Sequence, residues 1–156
     1  MAATDLVIVP MAERHLPDVL AIERALFPAP WTDAMFRQEI EETWLSRSFV
    51  AESGGAVAGY IVSWFLRGEV HVLNLAVAPA FHRRGFAKRM LRHVIHLAEA
   101  EGCHMVTLEV RVSNDAAKLL YVTMGFSAVG IRRRYYRDNN EDAIVMTRRL
   151  APGGGP

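Results

Sequence analysis

The chain has 156 residues, 51% of them apolar and 22% charged, with a formal net charge of +1. That length suffices for one buried core, and the near-neutral charge gives no global electrostatic case for a nucleic-acid partner. The lone cysteine, Cys103, excludes an internal disulfide and a multi-cysteine metal site, and no apolar run approaches the length of a membrane span.

Leu6 to Val9 reads as a short apolar strand stopped by Pro10. From His15 to Phe27, apolar residues at Leu16, Val19, Leu20, Ile22 and Leu26 recur near helical spacing, with Pro17 in the first turn. Pro28 and Pro30 break the chain, and Thr32 is placed to cap a second helix from Asp33 to about Glu42. Phe49 to Ala51 opens a hairpin that turns at Gly54-Gly55 and returns over Val57 to Phe65. Arg67-Gly68 turns into a central strand whose apolar run is Val72 to Val77.

After the turn Ala78 to Phe81 comes a short basic loop, His82-Arg83-Arg84-Gly85-Phe86-Ala87. A long helix starts at Gly85 with Ala87, Met90, Leu91, Val94, Ile95 and Ala98 on one face, and Gly102 stops it. The strand Met105 to Val110 alternates, so Glu109 points away from Val106, Leu108 and Val110. Ser113 is placed to cap a helix through Met124 that Gly125 ends, and Asn114 can also serve as the cap of that helix start. Two final strands, about Phe126–Arg134 and Ala143–Arg149, form a hairpin across Arg137 to Asp142. Residues 151–156 read as a disordered tail, and the first residues lack the pattern of a signal peptide, which points to the cytoplasm. The expected fold is α/β: a single domain over residues 1–150. It is a mixed twisted sheet of about seven strands, four helices cover both faces, and the neighbouring strands near the middle are parallel.

The basic loop has a chemistry available to it. A helix start leaves its first amides without partners and carries partial positive charge, which suits a phosphate. Gly85 lets a ligand approach the backbone, and Arg83 and Arg84 add full charge. A pyrophosphate would sit on the amides of roughly Arg84 to Lys88. Taken alone, the loop reads more readily as a solvated helix start that happens to be basic. Cys103, beside Gly102 at a strand entrance, reads as a buried inert thiol.

The pattern His82-x-x-Gly85-x-Ala87 resembles the [Q/R]-x-x-G-x-[G/A] loop of the GNAT N-acetyltransferases, with His in the place of Gln or Arg. Leu108-Glu109-Val110-Arg111-Val112-Ser113-Asn114, and then Leu120-Tyr121 with Gly125-Phe126, extend the similarity. So do Ile131 to Tyr136, Glu141 to Met146, and Phe27 to Thr32. Together they cover roughly residues 5 to 150. They resemble the ribosomal-protein-alanine branch of the family, whose members acetylate the N-terminus of small-subunit ribosomal protein S18.

The resemblance implies an acetyl-CoA-dependent N-terminal acetyltransferase that works by direct attack in a ternary complex, with no metal, no nucleic-acid partner and no membrane. It implies that Glu109 is the general base and Tyr121 the general acid. It implies a cofactor site made by Leu75, Ala76 and Val77 on a splayed central strand, by Arg83, Arg84, Gly85, Phe86, Ala87 and Lys88 in the loop, and by Asn114. Phe27, Trp31, Tyr135 and Tyr136 would wall the acceptor cleft, or serve as ordinary aromatic packing. Two alternatives stand beside this reading: acetylation of a lysine ε-amine or a small-molecule amine, and acyl-CoA binding without catalysis.

Overall fold

The computed structural model of the protein describes residues 5–151. The expected tail lies outside the described residues, apart from Ala151. The elements come in the expected order: β1 (Val7–Pro10), α1 (Leu16–Leu26), α2 (Asp33–Glu41), β2 (Ser46–Ser53), β3 (Ala56–Leu66), β4 (Glu69–Val77), α3 (Phe86–Ala100), β5 (Met105–Arg111), α4 (Asp115–Thr123), β6 (Ser127–Tyr136) and β7 (Glu141–Arg149). The seven strands are hydrogen-bonded in the order β1-β2-β3-β4-β5-β7-β6, a mixed α/β sheet accompanied by four α-helices. Among the described residues no helix is long and apolar enough to cross a membrane.

The chain forms two compact units. Among the described residues, the first holds those up to Trp64 together with Asn74–Val94, and the second holds Phe65–Leu73 together with those from Ile95 onward.

In the first unit β1 pairs with β2, and β2 with β3, both antiparallel. The β2–β3 turn uses Gly54 and Gly55 at φ 58° and 83°, the left-handed backbone that a tight hairpin needs. β2 starts at Ser46, three residues before the expected Phe49. Ser46-Arg47-Ser48 has no apolar alternation to betray a strand, and pairing with Trp64, Ser63 and Val62 recruits it. Thr32 caps α2 as expected, its hydroxyl accepting from the Met35 amide at 3.2 Å. The stripe Leu16, Val19 and Leu20 on α1 is buried, as are Phe36 on α2 and Met90, Leu91 and Val94 on α3. Gly59 on β3 is required by close approach: a Cβ there would lie 2.4 Å from the Ala76 carbonyl oxygen and 2.9 Å from the Met90 methyl.

In the second unit β4 and β5 run parallel, paired from Glu69↔Met105 to Val72↔Leu108. β7 pairs antiparallel with both β5 and β6. Alternation on β5 is as expected, with Val106, Leu108 and Val110 buried, and Cys103 is buried too. The cap of α4 is the second of the two candidates. Asn114, not Ser113, accepts from the Ala117 amide at 3.2 Å, and Ser113 instead donates its own amide to Glu141 Oε2 at 2.7 Å. Two acceptors compete for this turn, and the downstream carboxylate takes Ser113. Gly125, at φ 92°, ends the helix, and Arg148 donates to the freed Met124 carbonyl at 2.9 Å. β6 runs on to Tyr136, two residues beyond expectation, with irregular pairing and Arg134 at φ 52°.

Candidate active site

In the first unit, β4 ends at Val77, a short turn covers Pro79–Phe81, and α3 begins at Phe86. The Arg89 amide donates to the Gly85 carbonyl at 3.1 Å, so the amides of Phe86, Ala87 and Lys88 are orphan donors of the helix start. Arg83 and Gly85 both take left-handed backbone, at φ 65° and 74°, and a Cβ on Gly85 would meet nothing within 4 Å. The loop backbone is therefore open to a ligand where the helix carries its partial positive charge. His82, at the position of Gln or Arg, donates from Nε2 to the Val77 carbonyl at 2.7 Å, which ties the loop to the end of β4. The Arg84 guanidinium lies 5.4 Å from the Phe81 ring, which stacks on Phe86 at 5.9 Å. The Ala78 amide donates to the Ala58 carbonyl on β3 at 2.8 Å. Because strand amides alternate between edges, those of Val77 and Leu75 point away from β3.

Glu23 sits 2% exposed on α1 in the same unit. It accepts from the Tyr60 hydroxyl at 2.5 Å, the Asn74 side-chain amide at 2.9 Å and the Trp31 backbone amide at 2.9 Å. One buried carboxylate thus holds β3, β4 and the α1–α2 loop in register with α1. Burial, then the bond to Glu23, pushes the Tyr60 phenol far above its ordinary value. Trp31 packs on Phe36 at 5.1 Å, and Phe27 is half-buried at the end of α1.

The second unit holds the acid–base groups. Glu109 is 9% exposed, and both of its oxygens are engaged: Oε1 lies 2.7 Å from His71 Nε2 and Oε2 lies 3.4 Å from Arg132 Nε. Burial pushes this carboxyl up. The hydrogen bond from His71, joined by its charge when the ring is protonated and by Arg132, outweighs it and holds Glu109 below the ordinary carboxylate value. Tyr121 on α4 is buried, and burial, helped by Tyr136, pushes its phenol up to about 12. Burial, opposed by Arg111 and helped by Tyr135, Glu109 and Glu141, pushes Tyr136 up to about 12 as well. Tyr136 therefore lies within electrostatic range of both the carboxylate and the buried phenol. The two β6 tyrosines meet edge to face at 5.2 Å.

Arg111 fixes this end of the β6–β7 hairpin. Its guanidinium donates to both oxygens of Asp138, at 3.1 and 3.0 Å, and to Glu141 at 3.2 Å, and lies 4.0 Å from the Tyr136 ring centre. Hydrogen bonds from Ser113 first, with Asn139 and Arg111 adding, hold the Glu141 carboxyl down to about 2.

Glu109, Tyr121, Tyr135 and Tyr136 therefore share one electrostatic cluster in the second unit, where Asn114 caps α4. Leu75, Ala76, Val77 and Arg83 to Lys88, with Phe27 and Trp31, belong to the first. Sequence reasoning did not single out His71 or Glu23. Glu23 had a signal, because it falls in the apolar stripe three residues after Leu20 and four after Val19. His71 had none, since its partner becomes visible only when β4 and β5 are known to be neighbours.

Residues 16–126 match the family model described as the acetyltransferase (GNAT) family. The [ribosomal protein bS18]-alanine N-acetyltransferase of Escherichia coli K12 is 35% identical over 84% of this chain and 88% of its own. A crystal structure of the E. coli ribosomal-protein-S18-alanine N-acetyltransferase superposes with a TM-score of 0.88 at 31% identity, covering 97% of each chain. A structure of the NatC complex bound to Gag peptide and CoA matches with a TM-score of 0.78 at 25% identity, covering 95% of this chain and all of that one. A family model spanning most of the chain, together with relatives of this likeness, leads to one conclusion: the chain belongs to the acetyltransferase (GNAT) family.

Proposed function

We propose that the protein transfers acetyl from acetyl-CoA to the α-amine of a protein N-terminus in the cytoplasm, with the alanine-first N-terminus of ribosomal protein S18 as the acceptor. The observation that carries this is the Glu109 cluster, a covered, ionised carboxylate held by His71 at 2.7 Å and Arg132 at 3.4 Å, with the protonated Tyr121 phenol in the same unit. The names of the E. coli relatives support the acceptor, and the NatC complex with CoA supports the donor.

Each part of the chemistry has a residue. The loop amides of Gly85 to Lys88, with Arg83 and Arg84, hold the pyrophosphate. The amides of Leu75 and Val77, turned away from β3, bind the thioester carbonyl and the arm of the donor along with Ala76. Preorganised donors of this kind are worth about 3 kcal/mol each in other acyl transfers. Asn114 caps α4 and touches the cofactor. Phe27, Trp31, Tyr135 and Tyr136 receive the acceptor peptide. An α-ammonium has a pKa of roughly 7.7–8.0, so a modest base frees its lone pair near neutral pH, and Glu109 is the centre of that base. Tyr121 keeps its proton at pH 7 and supplies it to the departing sulfur.

Two matched peptides test the acceptor class. One begins with a free alanine and lacks lysine, and the other is blocked at its N-terminus and carries a lysine. The ε-ammonium, at about 10.4, asks far more of the same base. Mass spectrometry should find acetyl on the first peptide only. Acetylation of the blocked peptide alone would move the enzyme to the ε-amine class, and tight CoA binding with neither peptide modified would make it a binding module.

A further inference from the structure

We propose that His71 is the group that receives the acceptor's proton, working as a dyad with Glu109. This rests on the reading of Glu109 as the basic centre. The geometry separates the two members of the pair. Glu109 is 9% exposed with both oxygens occupied, whereas His71 is 32% exposed. An ionised carboxylate only accepts, so the hydrogen in the 2.7 Å contact belongs to His71 Nε2. That fixes the tautomer of the neutral ring and leaves Nδ1 with its lone pair. Among the described residues no hydrogen bond uses that Nδ1. Glu109 orients the ring and steadies the imidazolium that forms, a division of labour general to carboxylate–imidazole pairs.

The charges around the pair are few. Glu109 faces the ring from β5. Arg132, Tyr135 and Tyr136 on β6 surround Glu109 in turn. Glu69, on β4 itself, is taken by His104 at 3.4 Å. An imidazole ordinarily changes charge between about pH 5 and 8, close to the roughly 7.7–8.0 of an α-ammonium, and is suited to exchange a proton with it.

The step balances. The acceptor ammonium passes one proton to His71 Nδ1, and the freed lone pair forms the C–N bond to the thioester carbon. The C–S bond breaks with its electron pair on sulfur, and Tyr121 protonates the sulfur. The second proton lost by nitrogen as the amide forms restores the phenol, and His71 releases its own proton to solvent.

The experiment compares wild type, Glu109→Gln, His71→Gln and His71→Ala on an alanine-first peptide. Gln at position 71 keeps a donor toward Glu109 but cannot take up a proton. His71→Gln should lower kcat by about 100-fold with little change in the KM for acetyl-CoA, and should abolish the acidic limb of the pH–rate profile. Added imidazole should restore part of the activity of His71→Ala. Nitrogen NMR of the wild type near pH 8 should show the proton on Nε2. A His71→Gln enzyme as fast as wild type at every pH, beside an inactive Glu109→Gln, would overturn this inference and leave the function intact. The opposite tautomer would overturn it without any assay of turnover. Full activity in Glu109→Gln would remove the base assignment and the dyad with it.

Discussion

Tyr121 illustrates how burial sets a role. A phenol near pH 7 is protonated anyway, and covering it on α4 beside Tyr136 raises its pKa to about 12. The proton is then held throughout the ordinary pH range, and it moves toward sulfur only as the C–S bond breaks and the second proton of the acceptor nitrogen replaces it. Tyr121→Phe keeps the ring that packs 5.8 Å from Phe126 and removes only the proton. It should lower kcat by roughly 10- to 100-fold while calorimetry finds unchanged acetyl-CoA affinity. An equal loss of affinity would make Tyr121 a cofactor contact instead. Glu109 was legible at this scale because strand alternation turns it from the aliphatic side of β5. His71 was not, because nothing in Val70-His71-Val72 says which carboxylate lies across the ladder.

At the scale of elements, the α1–α2 loop and the β6–β7 hairpin are each held by one charged side chain. Glu23 gathers Tyr60, Asn74 and the Trp31 amide, and Arg111 gathers Asp138, Glu141 and the Tyr136 ring. Both are positional devices: each fixes an aromatic residue that the sequence offered as an acceptor wall. Glu23→Ala would leave the buried Tyr60 hydroxyl and two partly buried donors without their acceptor, and urea denaturation should show a loss of about 3 kcal/mol. A loss under about 0.5 kcal/mol, the scale of a neutral surface change, would contradict that role. Elements with strong periodicity or punctuation were readable: α1, α3 and the Gly54-Gly55 hairpin. The start of β2 and the cap of α4 were not, because Ser46-Arg47-Ser48 and Ser113-Asn114 are settled by tertiary partners, Trp64 to Val62 in one case and Glu141 in the other.

Across the whole molecule, β4 belongs to both units. Its first residues carry His71 in the second unit, and its last carry Asn74, Leu75 and Val77 in the first. The motifs that resembled the family fall on both units, and the family model spans residues 16–126. The fold was therefore legible through the resemblance and the βαβ order together. The roles of single side chains rest on geometry that only the assembled strands supply. The most direct measurement is kcat/KM for acetyl transfer to an alanine-first S18 peptide, taken for wild type and for Glu109→Gln with acetyl-CoA binding measured alongside. A fall of at least about 100-fold with donor affinity retained is the predicted result. Undiminished turnover in Glu109→Gln, or no turnover by the wild type, would contradict the account.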